Sequence, residues 1–483
     1  RGLGDVYKRQ RMRKITMKSI KKSTYCKLTA ALAFVVIAAV CTWALWPKDY
    51  DELIPAEAKA VFCIDSKMLS NTLSDKDKKA FEEQGAAAFD LSQPIYGIVT
   101  PNEYLCMIAR VKDVDKVKDA LSHFECKRVV VDEYDGREWA WLSDGWLASW
   151  DGRSFICVGP GVTQERDVLR QTITSMINSG KKFVDTPAYT QLMQQQKPLK
   201  IYAQLDAIPA PYNLLFRLSI PADCDPTAVQ VFAAADAKIK NKKLSITQLD
   251  CNITSENEDI VAAIDNYEKE KGCIVLNNQD LKPSTLFSLT TCIKGKNLLK
   301  ILKTDATLRG LLMGLSQTFD ADRLLGSTDG LFNIEIGSFA KDWTPTFCIK
   351  AETHTPNLLA DADYWLESAQ KQKNVKLIRN SKNDFFLESD KQQLHFGLMA
   401  NERELYFASP SMLTAAKGPF MFSKAGAAAR CLVHFDVNID LLNQQPCMKE
   451  GSAATIINKL LPNQTHGISY EALTGRKAVL KFE

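Results

Sequence analysis

A pattern that joins a short strand to a Leu-rich helix occurs four times along the chain, and it limits the architectures that the chain can adopt. The four copies cover residues 59–69, 200–215, 285–302 and 430–443. In each copy one polar residue separates strand-forming residues from Leu at helical spacing; these are Asp65, Asp206, Thr290 and Asp436. Because Thr can replace Asp as a helix N-cap but not as a catalytic carboxylate, we expect all four to cap helices.

The elements between these copies repeat in order, which indicates an internal duplication. Cys106 and Pro160 of the first half correspond to Cys348 and Pro410 of the second. The first half is longer after Pro160, where apolar residues at helical spacing predict an extra helix over 165–178. Hairpin strands with helices between them predict an α+β fold of mostly antiparallel sheets, divided into residues 47–280 and 281–483.

Each half is predicted to contain a meander of successive strands. Asp-Gly pairs at 135–136, 144–145 and 151–152 separate short apolar runs, and Asp-Gly supplies the positive φ that a tight hairpin turn requires. We expect three successive strands here, ending with the run 154–161, and three in the second half, ending with the run 404–411.

An uncharged apolar segment of 19 residues, 28–46, begins at Leu28 and ends at Trp46. As a helix it would span about 28 Å, close to the thickness of the bilayer hydrocarbon, so we predict a transmembrane anchor. The basic residues before it place the N-terminal tail, 1–27, in the cytoplasm and the large body outside. Alternatives are a cleaved signal peptide and lipidation at Cys41. Residues 1–11 resemble a translated sequencing adapter and are interpreted as an artefact.

The charge distribution argues against nucleic acid as a partner. Residues 1–27 hold 10 of the 61 Lys and Arg but 1 of the 57 Asp and Glu, so the rest of the chain is slightly acidic. A slightly acidic body has no broad basic surface for phosphate backbones. With 46% hydrophobic and 24% charged residues, the composition is that of a globular protein, not of a disordered or polytopic membrane protein.

Local motifs for catalysis or metal binding are mostly absent from the sequence. There is no CxxC pair, helical zinc-protease motif, GxSxG elbow, phosphate loop or dinucleotide fingerprint. Ser338 and Lys341 fit a Ser-x-x-Lys pattern, but the surrounding residues resemble a strand end. Cys106 and Cys348 are predicted as small buried core residues. We therefore predict no catalytic residue, metal or cofactor.

One cluster of aromatic residues is a candidate binding surface: Trp139, Trp141, Trp146 and Trp150. Strand alternation places Trp139 with Trp141, and Trp146 with Trp150, on a common face of each strand. Across a hairpin these rings could form a platform for a sugar, a peptide or a protein surface. The alternative is that the rings fill the core, as large aromatic residues usually do.

The segment LIPAEAKAVFCIDSKMLSNTL, residues 53–73, resembles the opening of a family of uncharacterised exported bacterial proteins, which begins with an Ile-Pro-Ala-acidic-Ala phrase before a strand and a Leu-rich helix. The resemblance implies an envelope protein held by a membrane segment or a lipid. It implies no activity and no functional residue.

Two functions are consistent with these observations. The preferred one is a non-enzymatic, membrane-tethered scaffold or binding protein whose partner is an envelope protein or glycan. The alternative is an envelope hydrolase, a glycosidase or peptidase, with carboxylates brought together from distant segments. For a glycosidase these carboxyl groups would lie about 5 to 9.5 Å apart in a pocket.

Overall fold

The computed structural model describes a large part of the chain beyond the apolar N-terminal segment. The described residues are 49–73, 79, 86–123, 130–134, 136–142, 145–240, 243–270, 274–276, 285–304, 309, 320–389, 393–418, 422–424, 431–449, 465–473 and 476–483. The predicted tail, the anchor at 28–46, Cys41 and the boundary between 280 and 281 lie outside them. Within the described ranges, no helix combines the length and the apolar character needed to cross a membrane.

The described residues before 285 form eleven strands. They are β1 (Ala60–Ile64), β2 (Ile95–Val99), β3 (Leu105–Arg110), β4 (Val130–Tyr134), β5 (Arg137–Trp141), β6 (Leu147–Trp150), β7 (Ser154–Gly159), β8 (Leu199–Gln204), β9 (Gln230–Lys240), β10 (Lys243–Thr254) and β11 (Ile274–Leu276).

The described residues from 285 onward form another eleven strands. They are β12 (Phe287–Thr291), β13 (Thr328–Phe339), β14 (Pro345–Thr353), β15 (Val375–Ser381), β16 (Asp384–Ser389), β17 (Gln393–Leu398), β18 (Glu404–Ala408), β19 (Phe422–Lys424), β20 (Cys431–Asn438), β21 (Gly467–Leu473) and β22 (Lys477–Phe482).

Twelve α-helices connect these strands in the described part of the chain. They are α1 (Ser66–Ser70), α2 (Val117–His123), α3 (Arg166–Asn178), α4 (Pro187–Met193), α5 (Ala210–Leu218), α6 (Glu258–Glu270), α7 (Gly295–Thr304), α8 (Ala321–Gly326), α9 (Ala362–Gln370), α10 (Leu413–Lys417), α11 (Ile439–Gln444) and α12 (Pro446–Lys449). Short 3-10 turns are Tyr50–Leu53, Ala86–Ala88, Thr163–Glu165, Phe183–Asp185, Leu205–Ala207, Pro226–Ala228 and Pro410–Met412.

The prediction of an α+β fold with antiparallel sheet is confirmed, and the two halves place their strands in the same order. From its outer edge inward, the first half runs β4-β5-β6-β7-β3-β2-β1-β8-β9-β10. The second half runs β15-β16-β17-β18-β14-β13-β12-β20-β21-β22. All of these pairings are antiparallel. Each position in one order has a counterpart in the other, as an internal duplication would produce.

The innermost strands of the two halves, β10 and β22, pair with each other and make the sheet continuous. Their register sets Asp250 opposite Val479 and Cys251 opposite Ala478. Because β10 and β22 hold the same place in their halves, this antiparallel pairing has the geometry of a two-fold symmetric interface. Residues 50–483 accordingly form one compact unit.

The meander of each half has four strands, whereas we expected three. The additional strands are β4 and β15, which form the outer edges of the sheet. In the first half, Gly136 has a φ of +69° between β4 and β5, so the first Asp-Gly pair follows a strand of its own. Three turns therefore separate four strands, and the meander is longer than expected.

The capping prediction is right at Asp65 and wrong at the three other positions. Asp65 accepts a hydrogen bond from the Met68 amide at the start of α1. Thr290 and Asp436 lie within β12 and β20, and Asp206 lies inside a 3-10 turn without a capping bond. In the second half the strand alternation continues past the polar residue, so the cap comes later: Asn438 caps α11 through the Leu441 amide.

The sheet has two faces with different coverings, which we call face A and face B. Face A carries α2 on the first half, against Trp150 and Phe155, and α9 on the second, against Phe385 and Phe396. Face B carries α3 and α4 on the first half. The predicted extra helix is thus confirmed as α3, whose buried stripe is Leu169, Ile173 and Met176.

Candidate functional site

The four tryptophans of the first-half meander divide between the two faces of the sheet. Trp139 and Trp141 alternate on β5 and point toward face B, where Trp139 belongs to the core under α3. Trp150 lies on face A, and Trp146 packs against the same face A core. Trp150 is 0% exposed and Trp139 is 3% exposed, while Trp141 and Trp146 are half-buried. The four rings therefore do not share one surface.

Trp139 and Trp141, which point toward face B, line a cleft between the meander and helix α3. Its volume is about 320 Å³, and its lining residues are Trp139, Ala140, Trp141, Leu147, Arg166, Asp167 and Arg170. The cleft therefore joins two of the sequence-predicted residues to two arginines that the sequence did not single out.

The two arginines stack on the two tryptophan rings. Arg166 Cζ lies 4.5 Å from the centre of the Trp141 ring, and Arg170 Cζ lies 5.4 Å from that of Trp139. Each pair is a cation–π contact, in which the ring face attracts the guanidinium. The arginines cover the ring faces that a sugar would need for stacking, so a ligand in this cleft would meet guanidinium N–H groups.

Helix α3 places both arginines over the cleft because of their spacing. Residues four apart lie on one side of a helix, so Arg166 and Arg170 project together. The buried stripe fixes the rotation of the helix, and the Glu165 carboxylate accepts a hydrogen bond from the Val162 amide at 2.9 Å just before its start. Both arginines are exposed, and no carboxylate among the described residues forms an ion pair with either.

A third arginine near the cleft lies on strand β5 and has a structural role. Arg137 is buried and donates to the Ser149 and Ser154 hydroxyls at 3.1 and 3.0 Å, and it also pairs with Asp151. Burial lowers the pKa of its guanidinium, and the nearby Asp151 carboxylate opposes this shift. These bonds tie β5, β6 and β7 together beside the cleft, so Arg137 stabilises the strands that hold Trp139 and Trp141.

Among the described residues of the second half, the position equivalent to Trp141 has different surroundings. By strand order and register, Trp141 corresponds to Phe386, whose ring packs 4.7 Å from the His395 ring. The segment after β18 holds the five-residue helix α10 where the first half holds α3. The cleft therefore depends on the helix that the first half alone carries at this place.

Face B of the second half carries a group of polar side chains that sequence reasoning missed. Two rows cross strands β13, β12, β20 and β21. The first row is Glu335, Ser288, Asp436 and Ser469, and the second is Asn333, Thr290, His434 and Glu471. We call these eight residues the polar patch. Strand alternation could have revealed it, because each strand repeats polar residues two apart.

The polar patch is largely buried, and a hydrogen-bonded pair lies within it. His434 is 8% exposed; its Nε2 pairs with the Asp436 carboxylate, and its Nδ1 lies 3.7 Å from Glu471. Lys481 Nζ lies 3.5 Å from the other oxygen of Glu471. Asn333 donates through Nδ2 to the Thr290 hydroxyl at 3.0 Å.

The other sequence candidates have structural roles. The Ser338 hydroxyl bonds to that of Thr346 at 2.8 Å within the β13–β14 hairpin, so Ser338 and Lys341 do not share a helix face. Cys106 and Cys348 are buried as predicted, in equivalent positions opposite Val158 and Ala408. Nine cysteines of the described ranges are free thiols, and those ranges contain no group of three or more His, Cys, Asp or Glu residues arranged to hold a metal.

Comparisons with known proteins add little to this description. No family model and no curated protein matches the chain. Among solved structures, three crystal forms of TP0453 match with 11–12% sequence identity and TM-scores of 0.27–0.28. The matches cover 42–48% of this chain and 80–90% of TP0453. Similarity at this level supports no inference about fold or function.

Proposed function

We propose that the chain is a membrane-tethered, extracytoplasmic binding protein of the bacterial envelope, without enzymatic activity. Its apolar segment would form a single-pass anchor with a cytoplasmic N-terminus, and its body would hold an envelope partner in the cleft between β5 and α3. The observation that carries this proposal is the pair of exposed arginines stacked on Trp141 and Trp139, neither of which forms an ion pair with a described carboxylate.

The chemistry of the cleft favours an anionic group as the ligand. A guanidinium is a planar fork of N–H donors that matches carboxylates and phosphates, and stacking on a ring holds that fork in a fixed orientation. Two such forks above an aromatic floor suit the carboxylate of an acidic sugar, which would bind through its charge and not by stacking on the covered rings. The preferred partner is therefore a carboxylate-bearing glycan, and a protein surface rich in carboxylates is the other outcome that the test below can reveal.

The test is a binding titration of the full-length chain with three probes: oligogalacturonate, neutral dextran oligosaccharide and polyglutamate. We expect oligogalacturonate to bind, with an affinity that falls as salt rises, and dextran not to bind. Binding of polyglutamate alone would identify a protein partner, whereas binding of none of the probes would count against the proposal.

Two variants connect the binding to the cleft. Substituting both arginines, Arg166→Gln with Arg170→Gln, should weaken binding at least tenfold. The matched control is Arg379→Gln, since Arg379 also stacks on an aromatic ring, that of Phe385, but already pairs with Asp363 at 2.7 Å. Equal loss in both proteins would show that total charge, not the cleft, governs binding.

The envelope location needs its own measurement. Fractionation of cells that express the chain, followed by protease treatment of intact spheroplasts, should find the body in the membrane fraction and accessible from outside. Recovery of the intact chain from the cytosol would contradict the tethered location while leaving the binding result unaffected.

A hydrolase is the second candidate, because Glu335 and Asp436 lie on the same face of the sheet, two strands apart. Strand spacing puts their backbones roughly 10 Å from each other. Glu335 is only 7% exposed, however, and Asp436 is bonded to His434, so neither carboxylate is positioned on an open groove for a polymer. Release of reducing ends or amines from envelope polymers, lost in Asp436→Asn, would establish this alternative.

A further inference from the structure

A second cleft lies against a different side of helix α3. Its volume is about 280 Å³, just below the range of about 300–1,000 Å³ that is usual for the sites of drug-sized ligands. It shares no lining residue with the cleft of Trp139 and Trp141. A ligand of this second cleft is therefore independent of the function proposed above.

Three segments form the walls of the second cleft. The turn between β2 and β3 contributes Asn102, and the turn before β1 contributes Glu57. Backbone hydrogen bonds donated by the Glu103 and Ala58 amides, at 2.9 and 3.1 Å, close these two turns. Helix α3 contributes residues three or four apart, which lie on one side of a helix. This row consists of Val168, Thr172, Ser175 and Ser179, with Gln171 beside it.

Two amides and one hydroxyl of the lining are available to a ligand. They belong to Asn102, Gln171 and Ser175, which are exposed and form no hydrogen bond with a described residue. The other hydroxyls of the lining already bond to the backbone; they are those of Thr100, Thr172 and Ser179. The cleft therefore combines an ordered wall with unoccupied amide groups.

These amides favour a peptide bond as the ligand. A primary amide carries two N–H donors and a carbonyl acceptor, so one side chain can donate to a peptide carbonyl and accept from a peptide N–H. Asn102 and Gln171 project from different walls, so a chain that lies between them can bond to both. The lining also contains Val168, which is 42% exposed, and Met176, which is 3% exposed. An aliphatic side chain of the peptide would find an apolar contact there.

The charge of the lining selects one part of a peptide. Glu57 is exposed and is the single charged group among the described residues that line the cleft. Lysines near it do not neutralise it: Lys59 and Lys182 pair with Glu103 and Glu52, and Lys181 is exposed without an ion pair to Glu57. An unpaired carboxylate repels an acidic ligand and attracts an ammonium group.

Other ligand classes fit this lining less well. A sugar commonly stacks on an aromatic ring, and none of the described lining residues is aromatic. A metal ion would need several anionic or imidazole ligands, whereas the cleft has one carboxylate, and the described ranges contain no suitable group of three.

We propose that the second cleft binds the amino-terminal end of a short peptide. The Glu57 carboxylate bonds to the ammonium group of the peptide, and the amides of Asn102 and Gln171 bond to its first peptide bond. The apolar surface of Val168 receives an aliphatic side chain.

Three probes separate the ammonium group from the amides: alanyl-leucinamide, N-acetyl-alanyl-leucinamide and n-hexylammonium. Calorimetric titration of the full-length chain should detect binding of alanyl-leucinamide. The acetylated probe lacks the ammonium group and should bind about three- to fivefold more weakly, since an ion pair with an exposed carboxylate contributes little. The third probe lacks amides and should show no saturable binding. No binding of alanyl-leucinamide, or equal binding of either other probe, would overturn the proposal.

The substitution Glu57→Gln keeps the shape of the side chain and removes its charge. It should weaken binding of alanyl-leucinamide about three- to fivefold and leave that of the acetylated probe unchanged, so that the two probes bind equally. The matched control is Glu367→Gln, at another exposed carboxylate without an ion pair to a described residue, which should preserve the difference. A difference that persists in Glu57→Gln would contradict the role of Glu57.

Filling the cleft tests where the peptide binds. Ser175→Trp introduces a large ring at an exposed position of the α3 wall and should weaken binding of alanyl-leucinamide at least tenfold. Asn178→Trp is the matched control, because Asn178 is exposed on the same helix and does not line the cleft. Equal affinities of these two variants would place the peptide elsewhere and overturn the proposal. If Ser175→Trp does not fold, the comparison of the two probes in Glu57→Gln decides the question.

Discussion

The two halves place the same strands in the same order, but they differ in what they build on face B. Following the register from strand to strand, Val61 corresponds to Ser288 and Ile98 to Glu335. Likewise Tyr202 corresponds to Asp436 and Phe232 to Ser469. Four apolar core positions of the first half are thus polar in the second, although the backbone pairing is the same.

The difference shows that strand order and side-chain chemistry are separable in this fold. On the first half, helices α3 and α4 cover the apolar side chains of the sheet. Burial of these side chains offsets the conformational entropy that is lost when they become ordered. On the second half, the equivalent positions hold polar groups that remain largely buried. Polar residues at positions that the architecture can fill with apolar ones are typical of a functional site rather than of folding.

Face A offers the strictest check of this comparison, because it is apolar in both halves. Trp150 in the first half and Phe396 in the second are each fully buried. Truncating a buried aromatic residue to Ala removes its burial and leaves a cavity, so Trp150→Ala and Phe396→Ala should each lower the free energy of unfolding by about 3 to 5 kcal/mol. Urea denaturation measures this change. A loss below about 1 kcal/mol in one half alone would mean that the face A core stabilises that half much less than the other.

Reciprocal substitutions at equivalent positions of face B should change the free energy of unfolding by unequal amounts. Val61→Ser puts a hydroxyl into an apolar core and should cost about 3 kcal/mol of unfolding free energy. The reverse change at the equivalent position, Ser288→Val, should stay within about 1 kcal/mol of the original protein, because it removes a polar group from a patch that folding does not require. Denaturation of both variants under one set of conditions tests this, and similar losses would make the polar patch a structural element.

The sequence predicts local features well and the assembly of the sheet poorly. The stripe of α3 and the positions of the Asp-Gly turns can be read from the sequence because both depend on residues close together in the chain. The predicted positive φ is found at Gly136 and Gly145 but not at Gly152. The pairing of β10 with β22 was not, since it joins strands more than two hundred residues apart. The failed caps at Thr290 and Asp436 have a related cause: their side chains belong to the polar patch, whose neighbours come from other strands.

Only part of the candidate site could be predicted from the sequence. Trp139 and Trp141 were identified by residue type, but their arginine partners lie on a helix predicted for its apolar stripe alone. Likewise, the polar patch is assembled from four strands that are separated in the sequence. No single segment carries that information.

Buried thiols provide a comparison that depends on pH. Burial raises the pKa of Cys63 in the first half to about 11, against an ordinary value of 9.0, and that of Cys431 in the second to about 12. Below pH 9 both thiols are protonated in the folded and unfolded states, so their contribution to stability is complete. Above pH 9 the unfolded chain loses its protons first, and the free energy of unfolding falls until the folded pKa is reached.

Replacing Cys63 should therefore flatten the fall of stability between pH 9 and 11. One thiol contributes up to about 1.4 kcal/mol per pH unit, or roughly 2 kcal/mol over this window. Urea denaturation of Cys63→Ala at a series of pH values measures the slope, and Cys224→Ala, at a half-buried site, is the control. A slope unchanged by Cys63→Ala would mean that this thiol is exposed to solvent in the folded chain.

The smallest expected effect concerns the stacked arginines, and it separates their structural role from a binding role. Arg166 is exposed, and a cation–π contact at such a site contributes about 0.5 to 1 kcal/mol. Arg166→Gln should therefore lower the free energy of unfolding by no more than this, with a similar change for Arg379→Gln in the second half. Anion binding, in contrast, should fall only in Arg166→Gln, because Asp363 already neutralises Arg379. If Arg166→Gln lowered the free energy of unfolding by several kcal/mol instead, the cleft would be part of the core of the first half. The pair of Arg166 with Trp141 would then be structural, as the pair of Arg379 with Phe385 is, and the contrast between the two halves would no longer hold.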